Sequence, residues 1–410
     1  MEATLKNILA QSYACYRDKH GVSVDQHHAA MAIMQCCENE LGYEEWLCER
    51  DGHIEQQAHA CRHRSCPRCQ HAYNQQWLDK TRARLLPCTH YHVVFTLPHE
   101  LNELWQYNRQ WSADHLFKAA AETLRELLRD ERYLGAEVGI LAALHTWGRT
   151  ASFHPHVHML VTGGGVSGED WRELKKPFLL PVGVLKAKFR GKWLNWLNVA
   201  YAKGDLRLPR HWQDRDWRRV LARVARKGWN VCIQGPYDHG SGVTNYLSRY
   251  LRGGPIKDAR LIRYDDEQVS FRYRDHRDGK DKSITLKTEE FIRRLLWHVP
   301  VKGQHNLRYY GLYVPGARDK RDCVREQLGR PRGEEVILPP KATRVCPDCG
   351  AALLHYRSTR RKKSYIKSPS PAAHEVGLVQ QGVRADRTGI GWSPPSGMDE
   401  KFLAGGRRLN

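Results

Sequence analysis

No run of about 18 apolar residues occurs anywhere in the 410 residues, which excludes a chain that crosses a membrane by helices. Residues 1–14 lack a basic start, an apolar stretch and a small-residue cleavage site. No secretory signal is therefore expected, and the protein reads as soluble and cytoplasmic. Cysteine is too sparse, at 12 residues in 410, for a disulfide scaffold. No repeat at solenoid period is visible. Aromatic residues, by contrast, are plentiful. Thirteen Trp, 18 Tyr and a hydrophobic fraction of 41% exclude a wholly disordered chain. At about 150 residues per domain, the length suggests two or three domains.

Acidic residues are in deficit. Sixty-six Lys and Arg face 45 Asp and Glu, a formal charge of +21. The excess is spread through every region, so it is not a single basic tail. Such a surface fits a polyanion, and nucleic acid is the commonest one inside cells. No long basic amphipathic helix stands out, so an anionic membrane surface fits less well.

The order of elements is legible in outline. Residues 28–37 and 73–86 read as helices, with the cysteine-rich segment between them. Residues 91–97 are strand by composition, closed by Pro98. Ser112 has the chemistry of an N-cap, and Leu116, Ala120, Leu124, Leu127 and Leu128 follow at helical spacing. Residues 138–147 and 156–162 read as strands, the second stopped by Gly163, Gly164 and Gly165. A helical insertion is expected over 166–228, in which Trp217, Val220, Leu221 and Val224 form one face. Arg215, Arg218, Arg219, Arg223 and Arg226 populate the rest, a face for solvent or for phosphates. Residues 230–234 read as a strand and 242–252 as a helix capped by Ser241. Short strands at 261–264, 269–273 and 283–286 and a helix at 288–298 follow. This order fits an α+β fold in which an open antiparallel sheet is backed by helices, close to a split βαβ plan. From residue 336 on, 13 Lys and Arg stand against 5 Asp and Glu and apolar periodicity fades, which predicts a basic, largely disordered tail.

Three groups of residues can carry chemistry. On a strand, His156 and His158 project from one face, and two imidazoles placed so can converge on one metal ion, although such a pair also occurs on an ordinary half-buried sheet. On the 242–252 helix, Tyr246 and Tyr250 lie one turn apart, while Leu247 and Leu251 anchor a different face; tyrosine pairs at this spacing are also common in cores. A metal that polarises a phosphate, a phenol that attacks it and a basic surface together fit reversible cleavage of a nucleic-acid strand. Third, Cys61, Cys66 and Cys69, with Cys48 thirteen residues before Cys61, fit a tetrahedral zinc site. His53, His59 and His63 are alternative donors. Cys346-Pro347-Asp348-Cys349-Gly350 is half of a zinc ribbon, either a knuckle completed by His355 or by distant donors, or a simple turn.

Seven blocks in order carry a family resemblance. They are Cys61-Arg62-His63-Arg64-Ser65-Cys66-Pro67-Arg68-Cys69-Gln70; His92-Val93-Val94-Phe95-Thr96-Leu97-Pro98; Leu144-His145-Thr146-Trp147-Gly148; His154-Pro155-His156-Val157-His158 with Val161-Thr162-Gly163-Gly164-Gly165; Tyr246-Leu247-Ser248-Arg249-Tyr250; Phe271-Arg272-Tyr273 with Asp278-Gly279; and Arg308-Tyr309-Tyr310-Gly311-Leu312. Over about residues 48–315 the chain resembles the two-tyrosine HUH transposases of bacterial insertion sequences that move by a rolling-circle route. The resemblance implies a zinc-binding N-terminal domain, an HUH nuclease core and DNA strand transfer. It implies that His156 and His158 bind a divalent ion; the mechanism expected here uses Mg2+ or Mn2+, with His145, on the neighbouring expected strand, as first choice for a third donor and His154 as second. Tyr246 and Tyr250 would be the nucleophiles, forming a 5′-phosphotyrosine. The family's second cysteine after Cys48 is replaced by Asp51, so the zinc site would recruit Asp51 or His53. Arg62, Arg64, Arg249 and Arg252 are the expected DNA contacts, and single-stranded DNA at insertion-sequence ends the expected partner.

The expected domains are 1–86, zinc- and DNA-binding; 87–258, catalytic; 259–335, an accessory α+β region; and 336–410, the tail. Two other readings are open to this sequence. A plasmid rolling-circle replication initiator or relaxase shares the chemistry, but the cysteine block and the lack of a helicase-like P-loop speak for a transposase. A non-catalytic zinc-dependent DNA-binding regulator explains charge and cysteines and leaves both tyrosines without a role.

Overall fold

The computed structural model describes residues 3–176, 178–237, 254–275, 278–329 and 343–359. The chain opens with helices α1 (Leu5–His20) and α2 (Val24–Met34). Thr4 caps the first, its side chain accepting from the Asn7 amide, and Ser23 and Gln26 form a capping box on the second. A hairpin of β1 (Tyr43–Leu47) and β2 (Ile54–Ala58) leads through the cysteine-rich loop into α3 (His71–Arg84). Then come β3 (His90–Thr96), α4 (Asn102–Tyr107), α5 (Arg109–Arg129), β4 (Glu137–Trp147), β5 (Phe153–Ser167), β6 (Asp170–Glu173), α6 (Val182–Ala202), α7 (Asp214–Arg226) and β7 (Asn230–Tyr237). Beyond residue 253 lie β8 (Leu261–Tyr264), β9 (Gln268–Arg274), β10 (Asp281–Lys287), α8 (Thr288–Trp297), β11 (Leu307–Gly311), α9 (Arg318–Gln327) and β12 (Leu354–Ser358).

The fold is α+β, and its main sheet is antiparallel in the order β11-β4-β5-β3-β7, with β6 paired to β5. Strand alternation divides its residues between two faces. Val93, Phe95, Ile140, Ala142, Leu144, Val157 and Met159 point to one face and share a core with Leu116, Phe117, Ala120, Leu124 and Leu128 of α5 and Leu185, Phe189 and Trp193 of α6. Each Val, Leu, Ile, Met or Phe side chain among them contributes about 2 kcal/mol by leaving water. On the opposite face, Leu141, Ala143 and Leu160 pack under Leu312, Tyr313 and Val324. That cover leaves the other end of this face to the histidines.

Two smaller sheets complete the described fold, β12-β1-β2 and β10-β9-β8. The second shares a core with the N-terminal helices, in which Leu5, Ile8 and Leu9 meet Phe271, Phe291 and Leu295. Among the described residues, no helix is long and apolar enough to cross a membrane.

Three expectations are corrected. Ser112 lies inside α5, which begins at Arg109 behind Asn108. The triple glycine does not stop β5, which runs on to Ser167. These glycines serve close approach instead, since a Cβ on Gly164 would meet the Trp171 ring at 2.4 Å and one on Gly165 the Glu137 carbonyl oxygen at 2.7 Å. The 166–228 insertion opens with strand β6, turned back against β5, before its two helices.

Candidate active site and metal centres

Period-two alternation on β5 puts His156 and His158 on the sheet face opposite α5 and α6. Strand register supplies the rest. His145 of β4 stands directly opposite His156, and Ala143 opposite His158. The ligand atoms of His145, His156 and His158 all lie within 4.8 Å of one another. His145 and His158 are buried, at 2% and 4% exposure, whereas His156 is half-buried and forms the open side of the group. His154, the other candidate, is exposed and outside this trio. Its carbonyl oxygen accepts from His156 Nδ1 at 2.6 Å.

Electrostatics favours neutral rings. Burial pushes the pKa of His156 down to about 4, and burial followed by the neighbouring histidines holds His145 and His158 well below their usual value. Neutral imidazole is the ligand form. The donor set therefore fits a divalent ion held by three nitrogens with room left on the His156 side.

Two residues that the sequence reading did not single out as site residues stand behind the trio. His92 Nε2 lies 2.9 Å from His158 Nδ1, and His92 Nδ1 lies 3.1 Å from Gln234 Oε1. Their signal was positional: both lie on strands that flank the histidine face, His92 opposite Gln234 in register.

The chain leaves β7 at Tyr237, which packs on this same sheet face, and is next described at Gly254, beside the Ser65 carbonyl of the cysteine loop. Tyr246, Tyr250, Arg249 and Arg252 lie outside the described residues. Arg62 is exposed, while Arg64 is half-buried and donates to the Gln304 carbonyl at 2.6 Å. The arginines of α7 are exposed, with Trp217 and Val224 buried beneath them.

The cysteines group differently from the expected set. Cys61, Cys66 and Cys69 are joined by Cys36, not by Cys48. The hairpin geometry explains this. Cys48 follows β1 at the turn, whereas Cys61 lies beyond the far end of β2, and strands of five residues separate the two ends by about 16 Å. Cys36 follows α2, where the Cys37 amide donates to the His59 carbonyl and so draws it to the far end. Cys36 and Cys66 are fully buried, and hydrogen bonds from Cys61 and Cys66 hold the Cys69 thiol below its usual value. Four convergent, largely buried thiols are the donor set of a closed structural zinc site.

A family model described as "Transposase zinc-binding domain" matches residues 8–97, and one described as "Putative transposase" matches residues 139–321. The chain is 38% identical over 359 residues to "Putative transposase y4qJ" of Sinorhizobium fredii, covering 82% of this chain and 89% of that protein. It is 31% identical over 321 residues to "Transposase for insertion sequence element IS801" of Pseudomonas savastanoi pv. phaseolicola, covering 75% of each. The chain belongs to the insertion-sequence transposases. No solved structure matches it. The N-terminal match makes zinc the ion of this transposase's N-terminal region, and the match at 139–321 spans all three clustered histidines.

Proposed function

We propose that this transposase cleaves and rejoins single-stranded DNA at insertion-sequence ends by a tyrosine nucleophile, on an HUH nuclease core. The observation that carries the reading is the convergence of His145, His156 and His158 within 4.8 Å on one sheet face. These three side chains would hold Mg2+ or Mn2+, and the ion when bound polarises a phosphate oxygen and stabilises the charge that develops as phosphorus is attacked.

The protein's own residues supply the remainder. His156, on the open side, would meet the scissile phosphate. The phenolic oxygen of Tyr246 or Tyr250 gives up its proton and bonds to phosphorus. The bond from phosphorus to the 3′ oxygen breaks, and that oxygen leaves with a proton as a 3′-hydroxyl. A 5′-phosphotyrosine remains. Because an aryl oxide is a good leaving group, attack by another 3′-hydroxyl reverses the step and rejoins DNA without ATP. The segment that carries both tyrosines joins Tyr237, on the histidine face, to Gly254 beside the cysteine loop, which supports their assignment.

The exposed Arg62, the arginines of α7, and Arg249 and Arg252 would bind the phosphate backbone. Arg64 holds the cysteine loop to Gln304 as well. Cys36, Cys61, Cys66 and Cys69 would hold the structural zinc. The test is oligonucleotide nicking: His156→Ala or His158→Ala should lose cleavage while DNA binding stays within a few-fold. A double His variant that nicks at the normal rate overturns the assignment.

A further inference from the structure

The Cys346-Pro347-Asp348-Cys349-Gly350 loop has no part in the chemistry above. In the fold it lies just before β12, which pairs antiparallel with β1 and extends the N-terminal hairpin into a three-stranded sheet. That pairing sets the loop against the β1–β2 turn, where Cys48 and Asp51 lie.

The two loops are built alike. One reads Cys48-Glu49-Arg50-Asp51-Gly52, the other Cys346-Pro347-Asp348-Cys349-Gly350. In the first, the Gly52 amide donates to the Cys48 carbonyl at 2.9 Å and the Cys48 amide to the His53 carbonyl at 2.8 Å. In the second, the Gly350 amide donates to the Cys346 carbonyl at 3.0 Å and the Cys346 amide to the Ala351 carbonyl at 2.7 Å. Each glycine has a left-handed φ, 77° and 72°. A turn that needs glycine at this place explains why both loops share it.

The side chains converge as the backbones do. Ligand atoms of Cys48, Asp51, Cys346 and Cys349 lie within 4.8 Å of one another. The Cys48 and Cys349 sulfurs are 3.5 Å apart, and Cys346 Sγ is 3.3 Å from Asp51 Oδ2. Asp51 Oδ1 accepts from the His53 amide, which leaves Oδ2 toward the thiols. Cys48 and Cys346 are fully buried. Asp51 occupies in the first loop the position that Cys349 holds in the second.

We propose that Cys48, Asp51, Cys346 and Cys349 hold a second structural zinc ion, in a ribbon assembled from chain segments 301 residues apart. Two facing loops of this kind present four donors tetrahedrally, and a carboxylate is an accepted zinc ligand. The ion also answers a mechanical need. Every side chain of β12 is exposed, so the strand buries little of its own to hold it on β1. A shared metal would add to the attachment that Leu353 gives by packing with Cys48 and Cys346.

The test is metal content of the full-length protein in reducing buffer, which does not depend on catalysis. Wild type should carry two zinc equivalents per chain. The double variant Cys346→Ser, Cys349→Ser should lose one and keep the other, and Cys66→Ser should show the complementary loss. Asp51→Cys should hold its ion against a chelator longer than wild type, with a stronger sulfur-to-metal charge-transfer band on cobalt substitution. Asp51→Ala should release the ion faster. A single equivalent in wild type, an unchanged zinc count in the Cys346/Cys349 variant, or a cobalt spectrum unaltered by Asp51→Cys would overturn the proposal.

Discussion

His92 Nε2 and His158 Nδ1 lie 2.9 Å apart, and this contact fixes which nitrogen of His158 is left for the proposed metal ion. Gln234 Oε1 can only accept, so His92 donates to it through Nδ1 and keeps Nε2 as an acceptor. His158 then donates through Nδ1 and offers the lone pair of Nε2. His156 is set in the same sense by its Nδ1 bond to the His154 carbonyl. Partners of this kind typically contribute 10–100-fold to metal affinity. His92→Ala should therefore weaken Mn2+ binding by about that factor in a calorimetric titration, with DNA affinity unchanged. Unchanged Mn2+ affinity would show that His92 packs beside the site without orienting it.

The N-terminal zinc should depend on Cys36 and not on Cys48. Cys36→Ser removes a buried thiol from the group with Cys61, Cys66 and Cys69, so it should lose that zinc and lower the thermal midpoint. Cys48→Ser should leave this ion in place. Extended X-ray absorption on the Cys346/Cys349 double variant would read the remaining site as four sulfurs. Loss of this ion in Cys48→Ser would restore the ligand set read from spacing alone.

Acid sensitivity should trace in part to His298. The ring is buried between β4 and the β4–β5 turn, with Nδ1 3.0 Å from Thr146 Oγ1 and Nε2 donating to the Ala151 carbonyl at 3.0 Å. Burial pushes its pKa down to about 4, against about 6.5 unfolded. Between those values the unfolded chain binds more protons, so stability is full above about pH 6.5 and falls as the pH drops toward 4. From pH 7 to pH 5 this group should cost about 2 kcal/mol. Urea titrations should show that much less acid loss in His298→Gln than in wild type, and equal losses would contradict the assignment.

These residues also show how far the sequence carries. Strand β3 was plain from its β-branched and aromatic run, and the sheet backed by helices followed from element order. His156 and His158 were legible because period two acts within one strand. His92 lies on another strand, and its bond to His158 depends on register that no local pattern states. Cys36 was invisible for a related reason: what brings it to Cys61 is the hairpin's length, not spacing along the chain. The triple glycine misled because the same residue that ends strands also permits the close approach of Trp171 and Glu137.

On the proposed mechanism, a tyrosine in the segment between β7 and Gly254 becomes linked to DNA. A labelled single strand carrying an element end, incubated with the transposase and Mg2+ or Mn2+, should yield an adduct that survives denaturation, because the phosphotyrosine bond is covalent. Peptide mass spectrometry should place the DNA on Tyr246 or Tyr250. Tyr246→Phe and Tyr250→Phe each keep the ring and remove the proposed nucleophile; one should lose first cleavage, the other strand transfer, and the double variant should form no adduct. DNA linked to any other residue, or a wild-type yield of adduct from the double Phe variant, would contradict the account.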